Sequence, residues 1–237
     1  MATETQRQAI VDALMTLAGE RAWGEISLAD VAARAGVPLS VVRSAYAGRT
    51  AIVADFVAGI DAALLDEAER GRDAAGDSIA DEPARDRLLD VILRRLDLLA
   101  PHKPAIRGLA EAAKCDPGLA LCLARIGCRA QPWTLAAAGI EASSPLGRLR
   151  AGGLSLVMAR VLPVWLDDDD PGLGRTMATL DRSLTRGADL LDRAEAIGCK
   201  VMRFARRMRE RGREARRERA APGDGDPAAT AADAGAT

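Results

Sequence analysis

Residues 27–46 read SLADVAARAGVPLSVVRSAY, and this string predicts two short helices joined by a tight turn. Ser27 is a typical N-cap, and Asp30, three residues later, completes a capping box. Gly36 ends the first helix, because the residue after a helix often adopts a positive φ that glycine tolerates. Pro38 lies just inside the start of the second helix, where its missing N–H removes no hydrogen bond. The string therefore has the helix-turn-helix arrangement.

The second helix of such a pair can enter the major groove of DNA, which is about 12 Å wide. Its outward side chains are Ser40, Arg43 and Ser44. A helix–glycine–helix pair also occurs as an ordinary packing unit, so the arrangement alone leaves both interpretations open. Five apolar side chains are predicted to pack the two helices against the preceding one: Leu28, Val31, Val37, Val42 and Tyr46.

Local charge favours a nucleic-acid partner, although the wider segment is acidic. Residues 31–50 contain no acid and three arginines, Arg34, Arg43 and Arg49. Residues 1–66 carry five arginines against eight acids, a net charge of −3. Because affinity for DNA comes largely from phosphate contacts, binding must depend on the local basic face.

The string resembles the tetracycline-repressor (TetR) family of bacterial regulators. The match covers residues 27–37, continues through 38–46, and includes Arg49 and residues 51–53. The resemblance implies a DNA-binding head, a dimer, and a C-terminal domain that binds an effector. It also implies that the outward side chains of the second helix face bases or backbone and that Arg49 holds a phosphate. The predicted DNA-binding residues are Ser27, Pro38, Ser40, Arg43, Ser44 and Arg49.

The rest of the chain reads as helical, which predicts an all-α protein with a helix-turn-helix head and a C-terminal helical bundle. Apolar residues recur at helical spacing, and no segment has the alternating pattern of a strand. We expect a loop at 71–83, chain breaks at Pro101 and Pro104, a kink at Pro163 and a turn at 167–174. Helices are predicted at residues 7–18, 50–70, 84–100, 105–114, 117–130, 132–138 and 146–166, and from about Arg175 onward.

Composition excludes several other functions. The chain has 237 residues, 49% of them hydrophobic and 28% charged, with a net charge of −1, as in an ordinary soluble protein. A single histidine, His102, excludes two-histidine metal sites, and the four cysteines form no C-x-x-C pair. No nucleophile–base pair is evident, so we expect neither an enzyme nor a cofactor. The N-terminus lacks the pattern of a signal peptide, which favours the cytoplasm.

Residues 85–193 resemble a narrower group, the ubiquinone-biosynthesis lipid-carrier proteins, which hold isoprenoid lipids in a TetR-like fold. The strongest match is the string from Trp165 to Asp169 followed by Thr176 and residues 180–182. The resemblance implies a small apolar or lipid-like effector, although the tryptophans can equally be core residues. The predicted ligand-binding residues are Leu96, Trp133, Met158, Leu162 and Trp165.

Four segments follow from these observations: a head at 1–48, a ligand-binding and dimerisation domain at 49–198, a basic helical extension at 199–219 and a disordered tail at 220–237. The extension carries ten basic and three acidic residues, so it can contact DNA, contact an anionic membrane, or remain solvated. The helices 146–166 and 175–197 are predicted to pair with their copies. The hypothesis is a ligand-responsive repressor that binds a palindromic operator as a dimer. The alternative is a lipid-binding accessory protein of ubiquinone biosynthesis with a degenerate head.

Overall fold

The computed structural model describes residues 2–75 and 82–187, and within them every regular element is helical. Contacts group Met1–Asp189 into one unit, and the second unit, Leu190–Thr237, lies outside the described residues. The all-α prediction is confirmed. The helices are α1 (Glu4–Glu20), α2 (Leu28–Ala35), α3 (Leu39–Ala45), α4 (Arg49–Ala75), α5 (Ala84–Leu99), α6 (Lys103–Cys115), α7 (Pro117–Ala137), α8 (Pro145–Leu166) and α9 (174–187).

The head is built from the signals in residues 27–46. The Ser27 hydroxyl accepts a hydrogen bond from the Asp30 N–H at 3.1 Å, and the Asp30 carboxylate accepts one from the Ser27 N–H at 2.8 Å, so the capping box is confirmed. Gly36 ends α2 at φ 67° and ψ 27°. Pro38 is the N-cap of α3 rather than its first residue, one position from the predicted place. Val31, Val42 and Tyr46 are buried as predicted, while Leu28 and Val37 pack at the edge of the same core.

Helix α4 is longer than predicted, so the prediction of a loop at 71–83 is wrong for its first five residues. The helix continues through Gly71 to Ala75, so only residues beyond it can form a connection. Glycine lowers helix propensity by about 1 kcal/mol, a cost that tertiary packing readily offsets. Residues 76–81 lie outside the described part of the chain.

Helix α7 is continuous where two helices were predicted. Pro132 lies inside it and removes one backbone hydrogen bond, which predicted a break after residue 130. The side-chain amide of Gln131 donates to the Gly127 carbonyl at 2.8 Å, beside the gap, and residues 130 and 131 are buried. Burial of this turn holds the helix together through the proline.

The turn after α8 is organised by its acidic residues. The buried Asp168 carboxylate accepts hydrogen bonds from the Thr176 N–H at 2.8 Å and the Thr176 hydroxyl at 2.7 Å, and these bonds hold the pKa of Asp168 below its usual value. From α6, Lys103 donates to the Asp168 carbonyl at 2.7 Å, and Arg107 donates to the Leu166 carbonyl. The acidic run therefore caps α9 and ties α6 to α8.

One hydrophobic core runs through the head and the C-terminal helices. It includes Ile10 and Leu14 of α1, Val42 of α3, and Trp165 of α8. The junction at α1 and α6 is tight, because a Cβ on Gly108 would lie 2.6 Å from the Ala18 carbonyl oxygen. The head is therefore packed directly against α6 rather than hung from a linker.

Helix α8 is long and apolar enough, by length and composition, to cross a membrane, the one such helix in the part of the chain that the structure describes. Its buried residues, among them Leu154, Val161 and Trp165, belong to the common core. Pro163 lies inside its last turn, and the kink expected there stays a prediction. The predictions for 199–219, for 220–237 and for the end of the final helix near Ile197 fall outside the described residues.

Candidate nucleic-acid interface

Helix α3 divides cleanly into a buried and an exposed face. Val42 is fully buried and Val41 half-buried, which fixes the roll of the helix on the core. The exposed residues recur at the spacing of one helical face, and they are Leu39, Ser40, Arg43 and Ser44. We call these four residues the α3 face. The predicted outward orientation of Ser40, Arg43 and Ser44 is therefore present in the structure.

The predicted DNA-binding residues Ser40, Ser44, Ser27 and Pro38 differ in which hydrogen-bonding groups remain available for DNA. Ser44 donates its hydroxyl to the Val41 carbonyl at 2.8 Å, which leaves its oxygen available only as an acceptor. Ser27 is exposed at the start of α2, but its hydroxyl is engaged in the capping box. Pro38 is exposed at the start of α3 and offers no N–H. Ser40 is thus the hydroxyl with the most freedom in the set.

Three arginines of the head are paired with carboxylates on α1, α2 and α4. Arg34 contacts Glu20 at 2.5 Å, Arg21 lies 3.8 Å from Asp30, and Arg7 lies 3.7 Å from Asp55. These pairs are solvent-exposed, so each contributes little to stability, on the order of 0–1 kcal/mol. Their consequence is electrostatic: much of the basic charge counted from the sequence is neutralised locally.

Arg49 is directed inward. Its Nη1 donates to the Trp23 carbonyl and, at 2.5 Å, to the Ile26 carbonyl. Its guanidinium also stacks on the Trp23 ring, with Cζ 4.6 Å from the ring centroid. The first residue of α4 is thereby pinned to the turn between α1 and α2. The phosphate contact predicted for Arg49 would have to use its remaining N–H groups.

Arg43 is the exception. It is exposed, and it has no hydrogen-bond or ion-pair partner within residues 2–75 and 82–187. No acidic residue occurs between Val31 and Thr50 to neutralise it through the neighbouring chain. A guanidinium with free N–H groups is the side chain best suited to bidentate contacts with guanine or phosphate.

A polar network holds the end of α3 against α4 and α1. The Tyr46 hydroxyl donates to the Asp55 carboxylate, and the Arg7 guanidinium lies over the Tyr46 ring with Cζ 5.5 Å from its centroid. Burial raises the pKa of Tyr46, and the bond to Asp55 raises it further. The α3 face is therefore fixed at its C-terminal end by α4.

The predicted ligand-binding residues differ in how far they are buried. Leu96 and Trp165 are fully buried core residues, Met158 is buried and Leu162 is half-buried. Trp133 on α7 differs from these four residues, because about half of its surface is exposed to solvent. None of the five lines the two grooves described next, so their role as a ligand site stays a prediction.

The two grooves lie between the head and the C-terminal helices. The larger one, of about 650 Å³, is formed by the end of α1, the following turn and α6, with Arg21, Arg107 and Glu111 among its walls. The smaller, of about 280 Å³, is lined by Trp23, Arg49 and others. Trp23 borders both grooves, so the pinned turn separates them.

The C-terminal bundle contains a buried ion pair. Arg95 of α5 contacts Asp61 of α4 at 2.5 Å and also donates to the Thr134 hydroxyl of α7 at 3.2 Å. Burial raises the pKa of Asp61, against the opposing effect of Arg95. On α7, one turn from Thr134, the buried Gln131 side chain has an Oε1 atom with no hydrogen-bond partner in the described residues.

Helices α8 and α9 present apolar residues to solvent. Leu156 is 64% exposed and Leu149 49% exposed on one stripe of α8, and Met177 of α9 is 42% exposed. A Cβ added at Gly152, on the same stripe, would meet no atom within 4 Å. We call Leu149, Gly152, Leu156 and Met177 the apolar face. Contiguous exposed apolar patches are a common feature of interaction surfaces.

Sequence reasoning missed two features of the site. Leu39, 48% exposed, belongs to the α3 face, and its position one turn before Arg43 could have identified it. The pairing of Arg7, Arg21 and Arg34 had no sequence signal, because their acidic partners lie on other helices or turns.

Solved structures of TetR-family regulators are similar in fold to this chain. No protein-family model and no curated protein matches the chain. A TetR transcriptional regulator from Nitrosomonas europaea is 25% identical with a TM-score of 0.58, over 77% of this chain and 97% of that chain. A tetR-family regulator from Streptomyces coelicolor is 18% identical, over 86% and 97%, with a TM-score of 0.49. A TetR regulator from Rhodococcus sp. RHA1 is 19% identical, over 79% and 95%, with a TM-score of 0.46.

The fold assignment rests on the Nitrosomonas structure, which is matched over nearly its whole length. The lipid-carrier resemblance of residues 85–193 finds no support in these comparisons. The capped helix-turn-helix, the outward α3 face and this structural match agree with one another. The chain has the all-helical fold of TetR-family transcriptional regulators.

Proposed function

We propose that the protein is a ligand-responsive transcriptional regulator, a repressor, that binds a palindromic DNA operator as a homodimer in the cytoplasm. The observation that carries the proposal is the α3 face, with Arg43 free of internal partners while Arg7, Arg21 and Arg34 are paired. The structural likeness to a TetR transcriptional regulator supports the same conclusion.

The α3 face suits a major groove in shape and chemistry. A helix fits this groove, and side chains on its outer face reach the base edges. Ser40 and Ser44 are short, so they let the helix approach closely, while Arg43 supplies the positive charge. The rigid caps at Ser27 and Gly36 and the Tyr46–Asp55 bond preorganise the helix for docking.

A dimer follows from the apolar face of α8 and α9. In a twofold pair the same surface meets its copy, and an exposed apolar stripe is the surface that gains most from this contact. Two heads held in this way reach half-sites separated by about 34 Å, one turn of DNA. Leu149, Leu156 and Met177 support the proposal because their exposure in the single chain is otherwise unfavourable.

The proposed effector binds among the C-terminal helices and shifts the spacing of the two heads. The five residues predicted from the sequence would supply apolar contacts, and the unpartnered Gln131 Oε1 on α7 would accept a hydrogen bond; the five are Leu96, Trp133, Met158, Leu162 and Trp165. The tight contact of α1 with Gly108 on α6 would carry the change to the head. The proposed effector is thus a small, mainly apolar molecule with one hydrogen-bond donor. Binding of the effector and binding of the operator weaken each other by the same coupling free energy.

The effector proposal is tested with n-decanol and decyl methyl ether, which differ in the hydroxyl donor. We expect n-decanol to raise the unfolding temperature of the full chain and to release it from its operator, because binding to the folded state stabilises it. The ether should do neither, and Gln131→Leu should remove the difference between the two compounds. Equal effects of both compounds on the unaltered chain would contradict the role of Gln131.

The test of the regulator itself is an unbiased selection of double-stranded DNA by the full-length protein. We expect an enriched palindrome that binds at least about 10³-fold more tightly than random DNA. Arg43→Ala should weaken this binding by about 5- to 150-fold for each half-site. The matched control is Arg34→Ala, which removes an arginine already paired with Glu20 and should have a much smaller effect. No enriched sequence, together with no binding at about 50 mM salt, would overturn the proposal.

A further inference from the structure

We propose that each half-site of the operator contains a guanine read by Arg43 and, about two base pairs away, a thymine whose methyl group is contacted by Leu39. The inference rests on the proposed function and deepens it, because it assigns bases to individual side chains of the α3 face. It follows from the exposure, pairing and spacing of these side chains.

Arg43 has the freedom that base reading requires. Its guanidinium has no partner in the described residues, so no internal ion pair must break before it reaches DNA. Its neighbours one residue and one turn away on the face, Ser44 and Ser40, are short, which lets the guanidinium extend to the floor of the groove. Arginine in the major groove pairs with guanine O6 and N7 through two hydrogen bonds.

Leu39 is the apolar member of a face otherwise made of polar side chains. It is 48% exposed, while Val42 and Tyr46 of the same segment are buried in the head core. In a major groove, the thymine methyl group is the base-edge atom that gains from contact with an apolar side chain. No acidic residue lies on α3, so the face lacks the carboxylate that commonly accepts from cytosine N4.

The distance along the helix sets the spacing of the two bases. Leu39 and Arg43 are four residues apart, which corresponds to a rise of about 6 Å. Successive bases of one strand are separated by about 3.4 Å, so the two contacts fall about two base pairs apart. The pair of residues therefore reads a guanine and a thymine within one half-site.

Modified bases test each contact without altering the fold of the protein. In the selected operator, 7-deazaguanine removes the N7 acceptor, and uracil in place of thymine removes the methyl group. Because 7-deazaguanine removes one of the two hydrogen bonds, we expect it to weaken binding by the full chain about 2- to 12-fold and to leave Arg43→Ala unaffected. We expect uracil to weaken binding about 4-fold, the value of one methyl group, and to leave Leu39→Ala unaffected.

The outcomes separate this inference from the proposed function. Loss of the modified-base effect only in the matching variant supports the assignment, because each cycle isolates one pair of groups. Sequence-specific binding that is insensitive to both modified bases overturns the inference and leaves the regulator intact. A lowered salt dependence in Arg43→Ala with no 7-deazaguanine effect identifies a phosphate contact, and it also overturns the base assignment. Absence of any DNA binding overturns the proposed function itself.

Discussion

Leu156→Glu tests the apolar face of α8 and α9 by placing a charge at its most exposed leucine. Complete burial of a leucine is worth about 1.5–3 kcal/mol. Leu156 is 64% exposed in the single chain, so contact with a second copy would recover about 1–2 kcal/mol from each chain. The twofold pair doubles this value to about 2–4 kcal/mol, and the introduced carboxylate adds an unfavourable desolvation term.

The expected result is a dimer dissociation constant at least about 30- to 700-fold higher than that of the unaltered protein. Sedimentation equilibrium across micromolar concentrations measures it directly. The matched control is Leu121→Glu, because Leu121 is 55% exposed but lies on α7 and is not part of the apolar face. Both variants should keep the helical circular dichroism of the unaltered chain, since both side chains are exposed in the single chain.

Operator affinity gives a second measure of the same change. A dimer that dissociates loses the benefit of two linked heads, so Leu156→Glu should bind the palindrome more weakly while Leu121→Glu should not. The reasoning is refuted if the unaltered chain is a monomer at micromolar concentration, or if Leu156→Glu leaves the dissociation constant unchanged.

Three further predictions concern stability. Arg95→Met leaves the buried Asp61 without its partner, so it should lower the free energy of unfolding in urea by about 3–5 kcal/mol. The double variant with Asp61→Leu should recover most of this loss, and a double variant as unstable as the single one would contradict the ion-pair account. Gly108→Ala should lower the free energy of unfolding by about 1–3 kcal/mol, because its Cβ would overlap a backbone carbonyl of α1. The control Gly59→Ala, where a Cβ would meet no atom within 4 Å, should not, and equal effects would argue against a tight junction. Hydrogen bonds lower the pKa of Asp168, so its contribution to folding stability is present above the unfolded-state pKa and is lost as the pH falls through the folded-state pKa. Asp168→Asn should therefore reduce the loss of stability at acid pH. An unchanged acid dependence of the free energy of unfolding would count against this role.

The local structure of the head could be predicted from sequence because its signals are short-range. Ser27 and Asp30 lie three residues apart and satisfy each other, and Gly36 adopts the positive φ that its position requires. The roll of α3 followed from the apolar spacing of Val42 and Tyr46. Each of these inferences needed only residues within one or two turns.

The errors arose where distant contacts override local preference. Pro132 predicted a break, but burial of the surrounding turn of α7 keeps the helix continuous. For Arg49 the phosphate contact stays a prediction, but no local signal in the sequence indicated that carbonyls of residues 23 and 26 would engage its Nη1 across the fold. The partners of Arg7, Arg21 and Arg34 lie on elements whose relative placement the sequence does not encode locally. The same limit applies to the five predicted ligand-binding residues, since periodicity identifies apolar faces but not which of them enclose a cavity.

Methylation protection on the selected operator tests the central claim most directly, because dimethyl sulfate modifies guanine at N7 in the major groove. We expect the full-length protein to protect guanines in two tracts about 10–10.5 base pairs apart, one for each head. Arg43→Ala should lose this protection, while Arg34→Ala should keep it. Specific binding without N7 protection, or protection that survives in Arg43→Ala, would show that α3 does not read the major groove.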